Sequence, residues 1–314
     1  MSSSTALIPQ FQIPDESSVR RLVVSFLAGR NPRTLEAYRQ DLADFAGFIG
    51  ATDLNTAAQL LLGKNHGAAN ALALDYKNGL VAKELSPATI NRRLAALRSL
   101  VKLGKTLGLI PWTLEVEGCK SERYRDTAGP GRDGTRRLFA VLGHRTDPKA
   151  IRDRAILRLL FDLALRRGEI CSLDLEHLDL NADVLWIHGK GRAQREQLTL
   201  PKATRAALAA WVAVRGAQPG PLFTSLDRAT KGQHRLTGTG LYKLVVALGK
   251  EAGLKVRPHG LRHAAITLAL DATAGDVRKV QRFSRHRDLR VLTIYDDSRL
   301  DLAGEVASLV SDLL

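Results

Sequence analysis

Two arginines in the second half of the chain lie at the edges of apolar stretches. Arg166 occurs in LALRRGEICSL and Arg262 occurs in HGLRHAAIT. Arginine is rarely buried unless an anion pairs with it. Glu169 is one such partner for Arg166, because it follows three residues later on the same face of a predicted helix. A phosphate group could instead be shared by both arginines, since a guanidinium group matches phosphate oxygens with two hydrogen bonds.

The stretch RPHGLRHAAIT brings further cationic or near-cationic residues to the start of a helix. His259 and Arg262 are three residues apart and share one helical face. Pro258 suits the first turn of a helix, and helix N-termini attract anions. Metal binding by His259 and His263 is the rival interpretation, but no Glu follows His259 and the charge of Arg262 would oppose a metal dication. We interpret the segment as a phosphate-binding helix start, with His263 in a hydrogen-bonded packing role.

Three other side chains could take part in phosphate chemistry. Lys190 lies in a Gly-Lys-Gly turn between two predicted strands, where it is either an ordinary exposed hairpin lysine or a general acid. Tyr295 follows His286 by nine residues. A single tyrosine most often serves amphipathic packing, so the spacing alone leaves the role of Tyr295 open.

The elements that must position these side chains are mostly helices. Apolar residues make up 45% of the 314 residues and aromatic residues only 5%, with Leu and Ala prominent, which favours helices over sheets. The segments EHLDLN, DVLWIHGKG and REQLTLP alternate apolar and polar residues and predict a small antiparallel β-sheet. The expected fold class is therefore mainly α with a small antiparallel β-sheet.

Two domains are expected from the chain length and from a polar stretch near the middle. Residues 15–112 contain four predicted helices, in DESSVRRLVVSFLAG, NPRTLEAYRQDLADFAGFIG, GAANALALDYKNGLVAK and SPATINRRLAALRSLVKLGKTLG. Residues 113–135 are polar and rich in Gly, which predicts a linker. Residues 136–314 form the second predicted domain, in which PKAIRDRAILRLLFDLALRRGEICSL predicts one long helix.

The charge of the chain favours a polyanionic partner. The formal net charge is +15, and a globular chain this basic most often binds nucleic acid. The fourth predicted helix carries no acidic residue and five basic ones, which are Arg92, Arg93, Arg98, Lys102 and Lys105. Those residues either form a solvated helix face or lie against DNA phosphates.

Other classes of protein are disfavoured by what the sequence lacks. Cys119 and Cys171 are isolated and predict neither a disulfide framework nor a zinc site. The N-terminal residues do not resemble a secretory signal, and the apolar runs are short and broken by charge. We expect a cytoplasmic protein without a metal ion or another cofactor.

The ordered motifs resemble those of the tyrosine recombinase (phage integrase) family. ALRRGEI resembles the family's G-L-R-x-x-E box, HGLRHAAIT is similar to its H-x-L-R-H box, and RHRDLRVLTIY is similar to its G-H-x8-Y ending. The HGKGRAQREQLTLP hairpin and the segments NPRTLEAYRQDLADF and SPATINRRLAAL also match, so the likeness covers nearly the whole chain. The resemblance implies a SAM-like helical core-binding domain followed by an α+β catalytic domain.

The resemblance also implies the reaction. Tyr295 would attack a DNA phosphodiester and form a 3′-phosphotyrosyl intermediate. Lys190 would protonate the leaving 5′-oxygen, and His259 would act as a general base or as a hydrogen-bond partner of the phosphate. The covalent link conserves the bond energy, so strands could be exchanged without ATP.

The remaining site residues would stabilise charge. A tyrosine hydroxyl has a pKa of about 10, so nearby cations must stabilise its anion. Arg166, Arg262 and His286 would do so and would also stabilise the phosphorane-like transition state without a metal. Glu169 and His263 would be supporting residues, with Glu169 holding Arg166.

Two positions depart from the family pattern. Ala164 stands where the first box usually has Gly, and Arg285 stands where the last box has Gly before His286. Both substitutions are expected to change local backbone freedom and to leave the reacting groups unchanged.

The resemblance further implies the assembly. The protein would act on double-stranded DNA with an inverted-repeat core site, as a homotetramer on two duplexes. The C-terminal segment DLAGEVASLVSDLL would form a helix exchanged between protomers. Integration, excision, dimer resolution and transposition are not distinguished. The alternatives are a type IB topoisomerase-like strand transferase, which would let strands swivel, and a catalytically idle DNA-binding protein.

Overall fold

The computed structural model describes residues 13–28, 32–120, 129–188, 195–226, 234–290, 292, 307–308 and 310–312. The chain divides into two compact units, Met1–Tyr124 and Arg125–Leu314. The boundary lies inside the predicted linker. None of the helices in the described ranges is long and apolar enough to cross a membrane.

The first unit is a helical bundle. Its helices are α1 (Glu16–Phe26), α2 (Pro32–Phe48), α3 (Leu54–Leu62), α4 (His66–Ala82) and α5 (Pro87–Thr106). Helix α5 begins as the sequence predicts, because the Ser86 side chain accepts a hydrogen bond from the backbone N–H of Thr89. The left-handed backbone of Gly108, with φ of +73°, follows its end.

Two features of the first unit differ from the prediction. Helix α3 was not predicted; it is only nine residues long, so it spans too few turns for its period to stand out from the sequence. Part of the stretch predicted as linker packs on this unit: Leu114 belongs to its core, and the Asn91 side chain bonds both the carbonyl and the N–H of Cys119.

The second unit packs helices around a small sheet. The helices are α6 (Gly131–Val141), α7 (Pro148–Phe161), α8 (Arg167–Cys171), α9 (Lys202–Arg215), α10 (Gly238–Glu251), α11 (Pro258–Ala272) and α12 (Val277–Ser284). Strands β1 (Leu178–Asp179), β2 (Val184–His188) and β3 (Arg195–Thr199) pair antiparallel in that order, with Leu185 opposite Leu198. The mainly helical class and the small sheet are confirmed.

The long helix predicted for the segment beginning at Pro148 is broken in the structure. Helix α7 ends at Phe161 and α8 begins at Arg167. Ala164, fully buried between them, has a left-handed backbone with φ of +46°, which a helix cannot accommodate. Arg166 is therefore the N-cap of α8 and does not lie inside a helix.

A buried ion pair stabilises the second unit. Arg152 and Asp153 are 4% and 0% exposed. The Arg152 guanidinium donates to Asp153 at 2.7 and 2.9 Å and to the Thr224 carbonyl at 2.9 Å. Lys149 also reaches Asp153, at 3.3 Å, but its side chain is 61% exposed.

We predict that Arg152→Ala lowers the free energy of unfolding by about 3–5 kcal/mol, because it leaves the Asp153 carboxylate buried without its main partner. Lys149→Ala, which removes an exposed partner of the same carboxylate, should cost about 1 kcal/mol or less. Urea unfolding followed by circular dichroism measures both. Equal losses in the two variants would contradict this assignment.

Candidate active site

The turn between α7 and α8 positions Arg166 through Glu169. The Arg166 backbone N–H donates to Glu169 Oε2 at 2.8 Å, and its Nη1 donates to Glu169 Oε1 at 2.7 Å. Glu169 thus caps the start of α8 and holds the Arg166 side chain at the same time. The pairing follows the predicted spacing, but its geometry is that of a helix cap.

Glu169 is also bonded to a second arginine. Arg285 Nη2 donates to Glu169 Oε2 at 3.2 Å, and both side chains are 5% exposed. Burial alone would raise the pKa of Glu169, but the Arg285 charge and the hydrogen bonds from Arg166 outweigh it and hold that pKa below its usual range. Glu169 is therefore an ionised carboxylate shared by two guanidinium groups.

Arg262 enters the same cluster from α11. It is 2% exposed, and its guanidinium donates through Nη1 to the Ala164 carbonyl and through Nη2 to the Ser284 carbonyl. The left-handed turn at Ala164 and the end of α12 therefore supply the acceptors for this arginine. The apolar remainder of α11 packs with Ala164 in one buried cluster.

The two histidines of α11 differ in exposure. His259 lies exposed in the first turn, directly after Pro258, and His263 is 2% exposed. Their rings contact each other edge to face, with centroids 4.1 Å apart. Among the described residues, no group of three His, Cys, Asp or Glu side chains could hold a metal ion.

His286 lies just beyond the C-terminus of α12. Its Nδ1 is 2.9 Å from Ser284 Oγ, and its carbonyl accepts a hydrogen bond from Gln281 at 3.1 Å. Burial, followed by the charges of the neighbouring arginines and of His259, lowers the pKa of His286 to about 4. The imidazole is therefore neutral at neutral pH, and it can form hydrogen bonds without adding to the positive charge.

The structure brings four of the predicted residues to one place, namely Arg166, Glu169, Arg262 and His286. Backbone carbonyls and the Glu169 carboxylate connect Arg166, Arg262 and the residues at the end of α12, while His286 follows directly. Lys190 and Tyr295 lie outside the described residues. The described cluster holds three guanidinium groups and one carboxylate, so its excess of positive charge suits an anionic group such as phosphate.

The Arg285 side chain was not predicted to belong to the site. Arg285 was expected to change only local backbone freedom, whereas its guanidinium bonds to Glu169 within the site. The sequence feature that could have indicated this role is a charged residue next to His286, at the position where the family pattern has glycine.

The basic residues of α5 differ in their ion pairing and in their exposure. Arg92 and Arg93 each form an ion pair at 2.6 Å, with Asp41 and Asp44 respectively. Lys102 and Lys105 are exposed, and Arg98 is half-buried. The DNA-binding role of all five residues stays a prediction.

A sequence model described as the Phage integrase family matches residues 133–300. This chain belongs to the phage integrase family. A tyrosine recombinase of Synechocystis sp. is 41% identical to this family member over 293 residues, covering 91% of this chain and 92% of that protein.

Solved structures share the fold of this integrase-family chain. One is the XerH site-specific recombinase bound to a palindromic difH substrate, in a post-cleavage complex, with a TM-score of 0.68, 19% identity, and coverage of 95% of this chain and 85% of that chain. Another is a lambda integrase tetramer bound to a Holliday junction, with a TM-score of 0.64, 13% identity, and coverage of 90% and 78%.

The low pKa of His286 predicts a pH effect on stability. In the unfolded chain this group titrates near 6.5, and in the folded protein near 4. The folded state therefore binds the proton less tightly, and the His286 contribution to stability is lost as pH falls from about 6.5 to about 4.

The free energy of unfolding of the wild type, measured by urea titration at several pH values, should fall more steeply across this range than that of His286→Gln. Parallel curves for the two proteins would show that His286 is not held neutral.

Proposed function

We propose that this chain is a site-specific DNA recombinase that cleaves and rejoins DNA through a covalent bond between Tyr295 and a 3′-phosphate. The observation that carries the proposal is the joining of Arg166, Arg262 and His286 in one positively charged cluster, within a chain that belongs to the phage integrase family. The named relative is a tyrosine recombinase, and both solved structures contain recombinases or integrases with DNA.

The reaction balances without an external energy source. The Tyr295 hydroxyl gives its proton to His259 as the general base, and its oxygen forms a bond to phosphorus while the bond to the 5′-oxygen breaks. Lys190 gives the leaving 5′-oxygen its proton. The reverse step, with the 5′-hydroxyl of another strand as the nucleophile, rejoins the DNA and frees Tyr295. No metal enters either step.

The described residues suit the charge that develops in this reaction. Arg166 is about a third exposed and is held by Glu169 and by the Arg285 carbonyl. Arg262 is fixed by two carbonyls. Neither arginine must therefore reorganise when charge builds on the phosphate oxygens. His286 is neutral and can hydrogen bond to a phosphate oxygen. His259, at the exposed start of α11, would act as a general base or phosphate partner, where the helix N-terminus also favours an anion.

The assembly belongs to the same proposal. A homotetramer would act on two duplexes with inverted-repeat core sites, and the C-terminal helix would be exchanged between protomers. The tetramer of lambda integrase bound to a Holliday junction supports the tetrameric part of this arrangement. The substrate would be chromosomal DNA or DNA of a mobile genetic element in the cytoplasm.

The nucleophile can be tested with a supercoiled plasmid carrying the DNA that flanks this protein's own gene. In EDTA, the wild type should form an SDS-resistant protein–DNA adduct and Tyr295→Phe should form none, because the phenyl ring has no oxygen to attack phosphorus. Denaturing gels measure the adduct. An adduct that persists in Tyr295→Phe would assign the nucleophile to another residue, and tight binding without any adduct in the wild type would indicate a catalytically idle DNA-binding protein.

A second test concerns the lysines of α5. Lys102→Ala and Lys105→Ala should each reduce the slope of log affinity against log salt concentration by about 0.9, as expected when one phosphate contact is lost. Arg92→Ala should reduce it less, because Asp41 already neutralises part of the Arg92 charge. Fluorescence anisotropy with a duplex of the same flanking DNA measures the slopes. Unchanged slopes in both lysine variants would remove α5 from the DNA interface.

A further inference from the structure

Arg285 occupies a backbone conformation that favours glycine. It is the C-cap of α12, with φ of +57° and ψ of +37°, and it is 9% exposed. A side chain at a left-handed position is unfavourable unless its surroundings compensate. The active-site cluster surrounds Arg285, so the contacts that compensate its unfavourable backbone conformation lie within that cluster.

The hydrogen bonds of Arg285 exclude a direct role on a ligand. Nη1 donates to the carbonyls of Leu163 and Phe283, both at 3.0 Å. Nη2 donates to the Ala164 carbonyl at 3.1 Å and to Glu169 at 3.2 Å. All four Nη hydrogens therefore have acceptors. The remaining Nε is buried and has no hydrogen-bond partner among the described residues, so the guanidinium group could not turn to a phosphate without breaking these bonds.

Arg285 acts on Arg166 through two routes. The first is the shared carboxylate, because both guanidinium groups bond to Glu169. The second is the backbone, because Arg166 Nη2 donates to the Arg285 carbonyl at 3.2 Å. Arg166 is consequently held at its own N–H and at Nη1 by Glu169, which Arg285 also bonds, and at Nη2 by the Arg285 carbonyl. All three contacts therefore depend on a group that Arg285 bonds or supplies.

We propose that Arg285 is a positioning residue of this active site, which fixes the Arg166 guanidinium for the scissile phosphate by sharing Glu169 and by presenting its left-handed carbonyl. The proposal rests on the proposed function for the identity of the phosphate. Arg285, which stands where the family pattern has glycine, would thus have a role in the reaction. A purely structural role is the competing explanation, since the same side chain also bonds the carbonyls that follow α7.

The variant Arg285→Gly separates the side chain from the backbone. Glycine adopts the left-handed conformation without strain, so the turn is retained while the bond to Glu169 is lost. Arg282→Ala is the matched control, because it removes an exposed arginine three residues earlier on α12 and changes the net charge equally.

The first measurement is independent of DNA. In ¹H–¹⁵N NMR spectra of the full chain, hindered rotation should give Arg166 separate Nη signals in the wild type and in Arg282→Ala, assigned by their loss in Arg166→Lys. These signals should average in Arg285→Gly, because Glu169, the carboxylate that holds Arg166 Nη1, loses its bond to Arg285 and is no longer fixed. Separate Arg166 signals in Arg285→Gly would overturn the proposal, and a lowered melting temperature with those signals unchanged would show the purely structural role.

The second measurement uses the flanking-DNA plasmid. Arg285→Gly should slow adduct formation about 10- to 100-fold, as expected for a misplaced catalytic group, with unchanged affinity for DNA. Arg282→Ala should form the adduct at the wild-type rate. A wild-type rate in Arg285→Gly overturns the proposal. If the wild type itself forms no adduct, the proposed function fails, and the NMR result alone decides whether Arg285 positions Arg166.

Discussion

The active-site half of this protein depends on one carboxylate between two guanidinium groups. Glu169 is buried, yet it is ionised because Arg166 and Arg285 both bond to it. Removing Glu169 would leave both guanidinium groups without their shared anion in a poorly solvated place. The bridge therefore ties the start of α8 to the end of α12 and sets the position of the arginine that remains partly exposed to a substrate.

Backbone carbonyls, in addition to the Glu169 carboxylate, hold the arginines of the cluster in place. Ala164 and Arg285 both have left-handed backbones, and the carbonyl of each accepts a hydrogen bond from an arginine of the cluster. Such conformations are unfavourable for residues with a β-carbon and persist where surrounding contacts determine them. Here those contacts are the arginine hydrogen bonds. The same bonds therefore stabilise the left-handed backbones and fix the positions of the guanidinium groups. The result is a cluster whose positive charge exceeds its negative charge and whose histidine stays neutral.

The sequence predicts much of this fold, and its failures have physical causes. Ser86, Pro87 and Gly108 mark the ends of α5 because capping is a local interaction. The break at Ala164 was missed because alanine is a strong helix former, and only tertiary contacts hold it in a left-handed turn. The role of Arg285 was missed for the same reason, since its partners lie more than a hundred residues earlier in the chain. The spacing of Arg166 and Glu169 was informative, although it reflects a helix cap and not a helix face.

We propose that Arg166 and Arg262 receive the phosphate while Arg285 holds Arg166 in place. A crystal structure of the protein with orthovanadate, which mimics five-coordinate phosphorus, tests this directly. Vanadate oxygens should lie within hydrogen-bonding distance of Arg166 and Arg262, with Arg285 still bonded to Glu169. Vanadate bound away from these arginines, or bound to Arg285 with Glu169 released, would contradict it.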